Sequence, residues 1–197
     1  MGRPELPVDH TVAARGTLAA VLRKLRYTAG LSYDELAVRT GVSATTLKRA
    51  TSGLYVPSWE TLVAIAQACD GSDRALADLW LDARIADRGR LERLHRPASA
   101  EFIASPAAFS GALVYFYELA GAPPLRHLRE RAGGAHLLPH STAGRIVNHQ
   151  AVPASRQQCL AFLIACGMGP NLRGRWADAY DRITAPRVSA STARRSG

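Results

Sequence analysis

The sequence predicts an all-α fold, and three observations carry that prediction. Apolar residues recur at helical spacing: Leu18, Val21, Leu22 and Leu25 fall at i, i+3, i+4 and i+7. Helix-start signals precede the apolar stretches, as in Ser32-Tyr33-Asp34-Glu35, where a serine is followed three residues later by a glutamate. No segment alternates apolar and polar residues in the manner of a half-buried strand.

The elements of the first half follow in order. Helix one carries the Leu18–Leu25 stripe, with Arg23, Lys24 and Arg26 off it, and ends at Ala29-Gly30, where glycine supplies a left-handed cap. Ser32 opens helix two, which Gly41 ends after Thr40. Ser43 caps helix three, expected over Ser43–Ser52 and stopped by Gly53. Ser58, after Pro57, opens helix four with Leu62, Ile65 and Ala66 inward. Helix five begins near Asp73 and turns Leu76, Leu79, Trp80 and Ala83 to the core. The expected organisation is a flexible arm (1–14), a first domain (15–95), a linker (96–108), a second domain (109–183) and a disordered basic tail (184–197).

Composition narrows the function. The 197 residues include 25 Lys+Arg against 16 Asp+Glu, a formal net charge of +9, which suits a polyanionic partner. The only lysines are Lys24 and Lys48; the rest are arginines, whose planar fork matches phosphate and guanine. No apolar run approaches the ~20 residues of a membrane span, and the N-terminus has no apolar stretch like a secretory signal. Cys69, Cys159 and Cys166, an odd number in apolar helical contexts, read as core residues of a reducing cytosol. There is no phosphate-binding glycine loop, paired-carboxylate site or nucleophile motif, so no enzyme and no cofactor is expected. No metal is expected either: Pro139 interrupts the His136/His140 spacing, and no cysteine pair has finger spacing.

The stretch Leu31–Ala68 is the most informative. Two short capped helices are joined by Thr-Gly-Val-Ser. Ala37, four before Gly41, is small enough for a close helix crossing, and Val42 and Leu47 supply the apolar contacts that lock it. This geometry leaves the outer face of helix three free to enter a major groove about 12 Å wide. The pieces Leu31-Ser32-x-x-Glu35-Leu36-Ala37, Gly41-Val42-Ser43-x-x-Thr46-Leu47, Gly53, Pro57 and Thr61-Leu62-x-x-Ile65-Ala66 resemble the phage-repressor/Cro-like (XRE-type) helix-turn-helix family, over about the first 85 residues. Thr45-Thr46-Leu47-x-Arg49-Ala50-x-Ser52-Gly53 with Pro57-x-Trp59 is most similar to its actinobacterial branch.

The resemblance implies double-stranded DNA as partner and transcriptional regulation as the role. It implies base reading by Ala44, Thr45, Lys48 and Arg49, with Arg49 suited to guanine O6/N7 and Thr45 to a thymine methyl. It implies phosphate contacts from Arg26, Tyr33, Ser43, Thr46 and Tyr55. Two positions depart from the family. Tyr33 stands where glutamine is frequent. Thr51 replaces an acidic residue that pairs with the helix-one arginine, which leaves Arg26 free for phosphate. A cytoplasmic, nucleoid-associated protein is implied; plasmid-maintenance, antitoxin and chromosome-organising roles use the same domain and stay open.

The second half repeats landmarks of the first. Thr46-Leu47-x-Arg49 matches Thr142-Ala143-x-Arg145, Val56-Pro57 matches Val152-Pro153, and Trp80-x-Asp82-Ala83 matches Trp176-x-Asp178-Ala179, each 96 residues on. Gly30 matches Gly121 and Leu36 matches Leu128, at offsets of 91 and 92. Two tandem five-helix domains are therefore expected, the second degenerate: about four residues are inserted near Gly133–Leu138, and Gly144 weakens the third helix by about 1 kcal/mol relative to Ala. His140, Ser141, Arg145, Asn148 and His149 are candidates for a second DNA contact. Residues 99–197 hold 11 basic and 5 acidic residues, against 14 and 11 in residues 1–98. That excess favours DNA for the second domain; homodimerisation or a protein partner is the other reading.

Overall fold

The computed structural model describes residues 5–185. Among them are ten α-helices and no strand. The helices are α1 (Ala13–Thr28), α2 (Tyr33–Thr40), α3 (Ala44–Ala50), α4 (Trp59–Ala68), α5 (Asp73–Arg88), α6 (Pro106–Leu119), α7 (Leu125–Arg131), α8 (His140–Val147), α9 (Arg156–Ala165) and α10 (Pro170–Thr184). The chain divides into two compact units, one of residues 1–93 with 120–122, the other of residues 94–119 with 123–197.

In the first unit the local signals act as expected. Ser32 Oγ accepts from the Glu35 N–H (3.2 Å) and Glu35 Oε2 accepts from the Ser32 N–H (2.8 Å), a reciprocal capping box. Gly41 ends α2 at φ 67°, a conformation any side chain would strain. Ser43, Ser58 and Ser72 cap the next three helices through the N–H groups of Thr46, Thr61 and Ala75. Leu18, Leu22, Leu36, Leu47, Leu62 and Ile65 are almost wholly buried in one core. Trp59 lies half-buried against it, edge-to-face with Trp80 at 5.2 Å, and so serves as a core lid. The Trp80 indole donates to the Pro57 carbonyl (2.8 Å).

The second unit has its own core, built on Phe109, Leu113, Leu128, Ile146, Phe162, Leu163 and Trp176. Phe109 and Phe116 pack on Trp176 at 6.0 and 4.8 Å, and the Tyr180 hydroxyl donates to the Pro153 carbonyl (3.0 Å). Cys69, Cys159 and Cys166 are free thiols. Burial raises all three above the ordinary thiol value, Cys159 to about 12; Cys69 and Cys159 are buried and Cys166 is half-buried.

Three boundaries differ from expectation. Helix α1 begins at Ala13, so the first domain reaches further toward the N-terminus than residue 15. The expected linker 96–108 is partly core: Ala100 and Ile103 are buried in the second unit, the Arg182 guanidinium donates to the Ala100 carbonyl (2.7 Å), and α6 starts at Pro106. The expected arm, where described, is held against α1 and the end of α3 by one backbone bond and by side-chain bonds and ion pairs set out below. The tail beyond Ala185 lies outside the described residues.

The capping box predicts an acid response. Its hydrogen bonds, first to the Ser32 backbone and then to its side chain, hold Glu35 below the usual carboxylate range. The associated stability is present above that range and is lost as pH falls through the lowered value. Glu35→Gln is expected to flatten the acid limb of a plot of unfolding midpoint against pH. Equal slopes in the two proteins would contradict this role for Glu35.

Candidate nucleic-acid interface

The candidate interface is built around α3. Residues Leu47 and Ala50 are 0% and 4% exposed and fix its inner face. With 3.6 residues per turn, that orientation turns Thr45, Lys48 and Arg49 to solvent, and all three are exposed. Thr46 is also exposed, and Ala44 is half-buried at the helix start. Ser43 Oγ receives the Thr46 N–H (3.2 Å) and lies 2.9 Å from Thr46 Oγ1, so the two side chains form one cap.

Beyond α3, Tyr55 is exposed and its ring lies under the Arg49 guanidinium, 4.7 Å from its centre. This cation–π contact holds Arg49 over a shallow groove of about 300 Å³ lined by Thr46, Tyr55, Val56, Pro57 and Thr61. Tyr55, expected as a phosphate contact, is the support on which Arg49 rests. The four base-reading candidates and Ser43, Thr46 and Tyr55 share one continuous stretch, residues 43–55.

Arg26 and Tyr33 are placed differently from expectation. Arg26 is not free. Its guanidinium donates to the Leu31 carbonyl (2.6 Å), pairs with Glu5 (3.0 Å) and lies 4.3 Å over the Tyr33 ring. The Tyr33 hydroxyl bonds to the Glu5 carboxylate and lies 2.5 Å from Thr51 Oγ1. Desolvation and the Glu5 carboxylate raise the Tyr33 phenol above its ordinary value. Both groups are therefore engaged inside the protein. The physical reason is a carboxylate supplied from 21 residues before Arg26, a distance over which periodicity and spacing carry no signal.

Residues Glu5–Asp9 run beside α1 and the end of α3. Arg23 Nε lies 2.8 Å from the Thr51 carbonyl and 2.9 Å from Glu5 Oε1, and its Nη1 donates to the Leu6 carbonyl (2.6 Å). The Asp9 N–H donates to the Ser52 carbonyl (2.8 Å). Two glycines admit this segment and the residue after it: a Cβ on Gly16 would lie 2.3 Å from His10 Nδ1, and one on Gly53 would lie 2.1 Å from the Asp9 carbonyl oxygen. Sequence reasoning missed Glu5, Arg23 and Ser52; a glycine in the first turn of α1, at Gly16, is a signal that a neighbour approaches there.

In the second unit, His140, Ser141, Arg145, Asn148 and His149 are all exposed, on or just after α8, while Ala143, Ile146 and Val147 face inward. Among the described residues no group of three His, Cys, Asp or Glu side chains is arranged to hold a metal, and no helix is long and apolar enough to cross a membrane.

No curated protein and no solved structure matches the chain. Residues 17–80 match the family model of a helix-turn-helix domain, and that part of the chain, α3 included, is a helix-turn-helix domain.

Proposed function

We propose that the chain is a sequence-specific double-stranded DNA-binding protein, a transcriptional regulator of the phage-repressor/Cro-like group in its actinobacterial branch. It acts by binding, not catalysis, in the cytoplasm at the nucleoid. The observation that carries this reading is the outer face of α3, where Thr45, Lys48 and Arg49 are exposed on a helix whose other face is locked by Leu47 and Ala50. The formal net charge of +9 supports it, because each phosphate neutralised releases counterions and strengthens association.

The second unit is read as an eroded copy of the first. In support, α1–α5 and α6–α10 follow the same order with closely similar lengths. Ala44 and His140, which start the third helix of each, are 96 residues apart. Positive φ recurs after that helix at Gly53 (82°) and His149 (58°), and after the first helix at Gly30 (68°) and Gly121 (75°). Pro57 and Pro153 each accept a hydrogen bond from an aromatic side chain of the unit's last helix. The erosion lies between α7 and α8, where eight residues replace the three of Gly41–Ser43, and at Pro139, which gives α8 no side-chain cap.

Two measurements test these readings. A duplex selected by the intact protein from a random pool should lose about 1–3 kcal/mol of affinity with Arg49→Ala and relax in specificity at one base pair. An unchanged profile would sink the assignment of α3. The double variant Arg145→Ala/Asn148→Ala should shorten the footprint of the intact protein; an unaltered footprint would remove α8 from the DNA contact and assign the second unit to another partner.

A further inference from the structure

The segment Glu5–Asp9 does more than cover a surface. Arg23 and Arg26 lie side by side on α1 with side chains only 20% and 15% exposed. Two adjacent cations with so little water need a counter-ion, or each is destabilised by desolvation and by its neighbour. Glu5 is that counter-ion, with one oxygen on Arg23 (2.9 Å) and the other on Arg26 (3.0 Å). The same carboxylate takes the Tyr33 hydroxyl, and Tyr33 opens α2. Arg23 and Tyr33 in turn hold the carbonyl and hydroxyl of Thr51, the cap of α3. The backbone bond from Asp9 to Ser52 and the space left by Gly16 and Gly53 hold the segment in place.

We propose that Glu5 is a positioning residue for the DNA-contacting edge of the fold: by bridging Arg23, Arg26 and Tyr33 it sets the start of α2 against the end of α3. This rests on the DNA-binding reading of α3. Lys48, one of the candidate base contacts, lies on the same groove, its Nζ 5.8 Å from the centre of the Tyr33 ring. Loss of the Glu5 charge therefore disturbs the α3 face from behind, without removing any group that touches DNA. The opposite arrangement is a gate, in which Glu5 stands in for a DNA phosphate and leaves when DNA arrives. The depth of the two arginines and their bonds to the Leu6, Leu31 and Thr51 carbonyls favour positioning over the gate.

The test compares the intact wild-type chain, Glu5→Gln, and Glu5→Gln combined with Thr51→Glu, which returns a carboxylate to the same cluster from α3. The probe is a duplex selected by the wild-type protein from a random pool, measured over a range of salt. Positioning predicts that Glu5→Gln weakens binding about five-fold with the salt slope unchanged, and that the second substitution restores much of the loss. It also predicts that the Tyr33 phenol, followed by NMR of labelled tyrosine with Tyr33→Phe for assignment, titrates at lower pH in Glu5→Gln. Tighter binding with a steeper salt slope would overturn the proposal in favour of the gate. Unchanged affinity, or an unmoved Tyr33 titration, would overturn it as well. A wild-type chain that selects no duplex would refute the DNA reading, and the Tyr33 titration would still judge the role of Glu5.

Discussion

A helix as short as α3 does not persist in water by itself. Helices below about 12–15 residues are marginal even with favourable sequences, because nucleation costs more than so few hydrogen bonds return. The seven residues of α3 are helical because Leu47 and Ala50 are buried against the first unit's core, with Ser43 and Thr51 closing the ends. Removing a buried leucine of this kind costs about 2–5 kcal/mol, a large share of a small domain's stability. The exposed face is therefore a consequence of the buried one: with Leu47 inward, Thr45, Lys48 and Arg49 have only one direction to point. Everything proposed for function stands on that constraint.

The parts that were legible in the sequence are those written locally. The capping box at Ser32, the caps at Ser43 and Ser58, and the left-handed turn at Gly41 each depend on residues no more than four apart, and the structure forms them as read. The exposure of Thr45, Lys48 and Arg49 followed from the period of the helix once Leu47 was placed in the core. What was not legible depends on pairs far apart in the chain. Arg26 was expected to be free because no acid stands at position 51, yet Glu5 reaches it from the other side. Ala100 and Ile103 lie in a proline- and serine-rich stretch that reads as linker, and their burial depends in part on Arg182, about 80 residues on.

The two units differ in what holds their helices in place. Both have a buried side chain at the middle of the third helix, Leu47 in one and Ala143 in the other, and both have an aromatic donor on the proline carbonyl before the fourth helix. The second unit lacks the serine cap and the tight turn before its third helix, and it carries Gly144 within that helix. Its core is instead rich in aromatic contacts, with Phe109 and Phe116 on Trp176 and Tyr180 on Phe109. Packing there takes the place of local signals.

The central claim is that α3 enters DNA by its outer face. The most direct measurement is a nuclear magnetic resonance titration of the isotopically labelled protein with its selected duplex. The largest amide and side-chain shifts are expected at Thr45, Lys48 and Arg49, with smaller ones at Ser43, Thr46 and Tyr55. Shifts concentrated elsewhere, with α3 unmoved at saturation, would contradict the account.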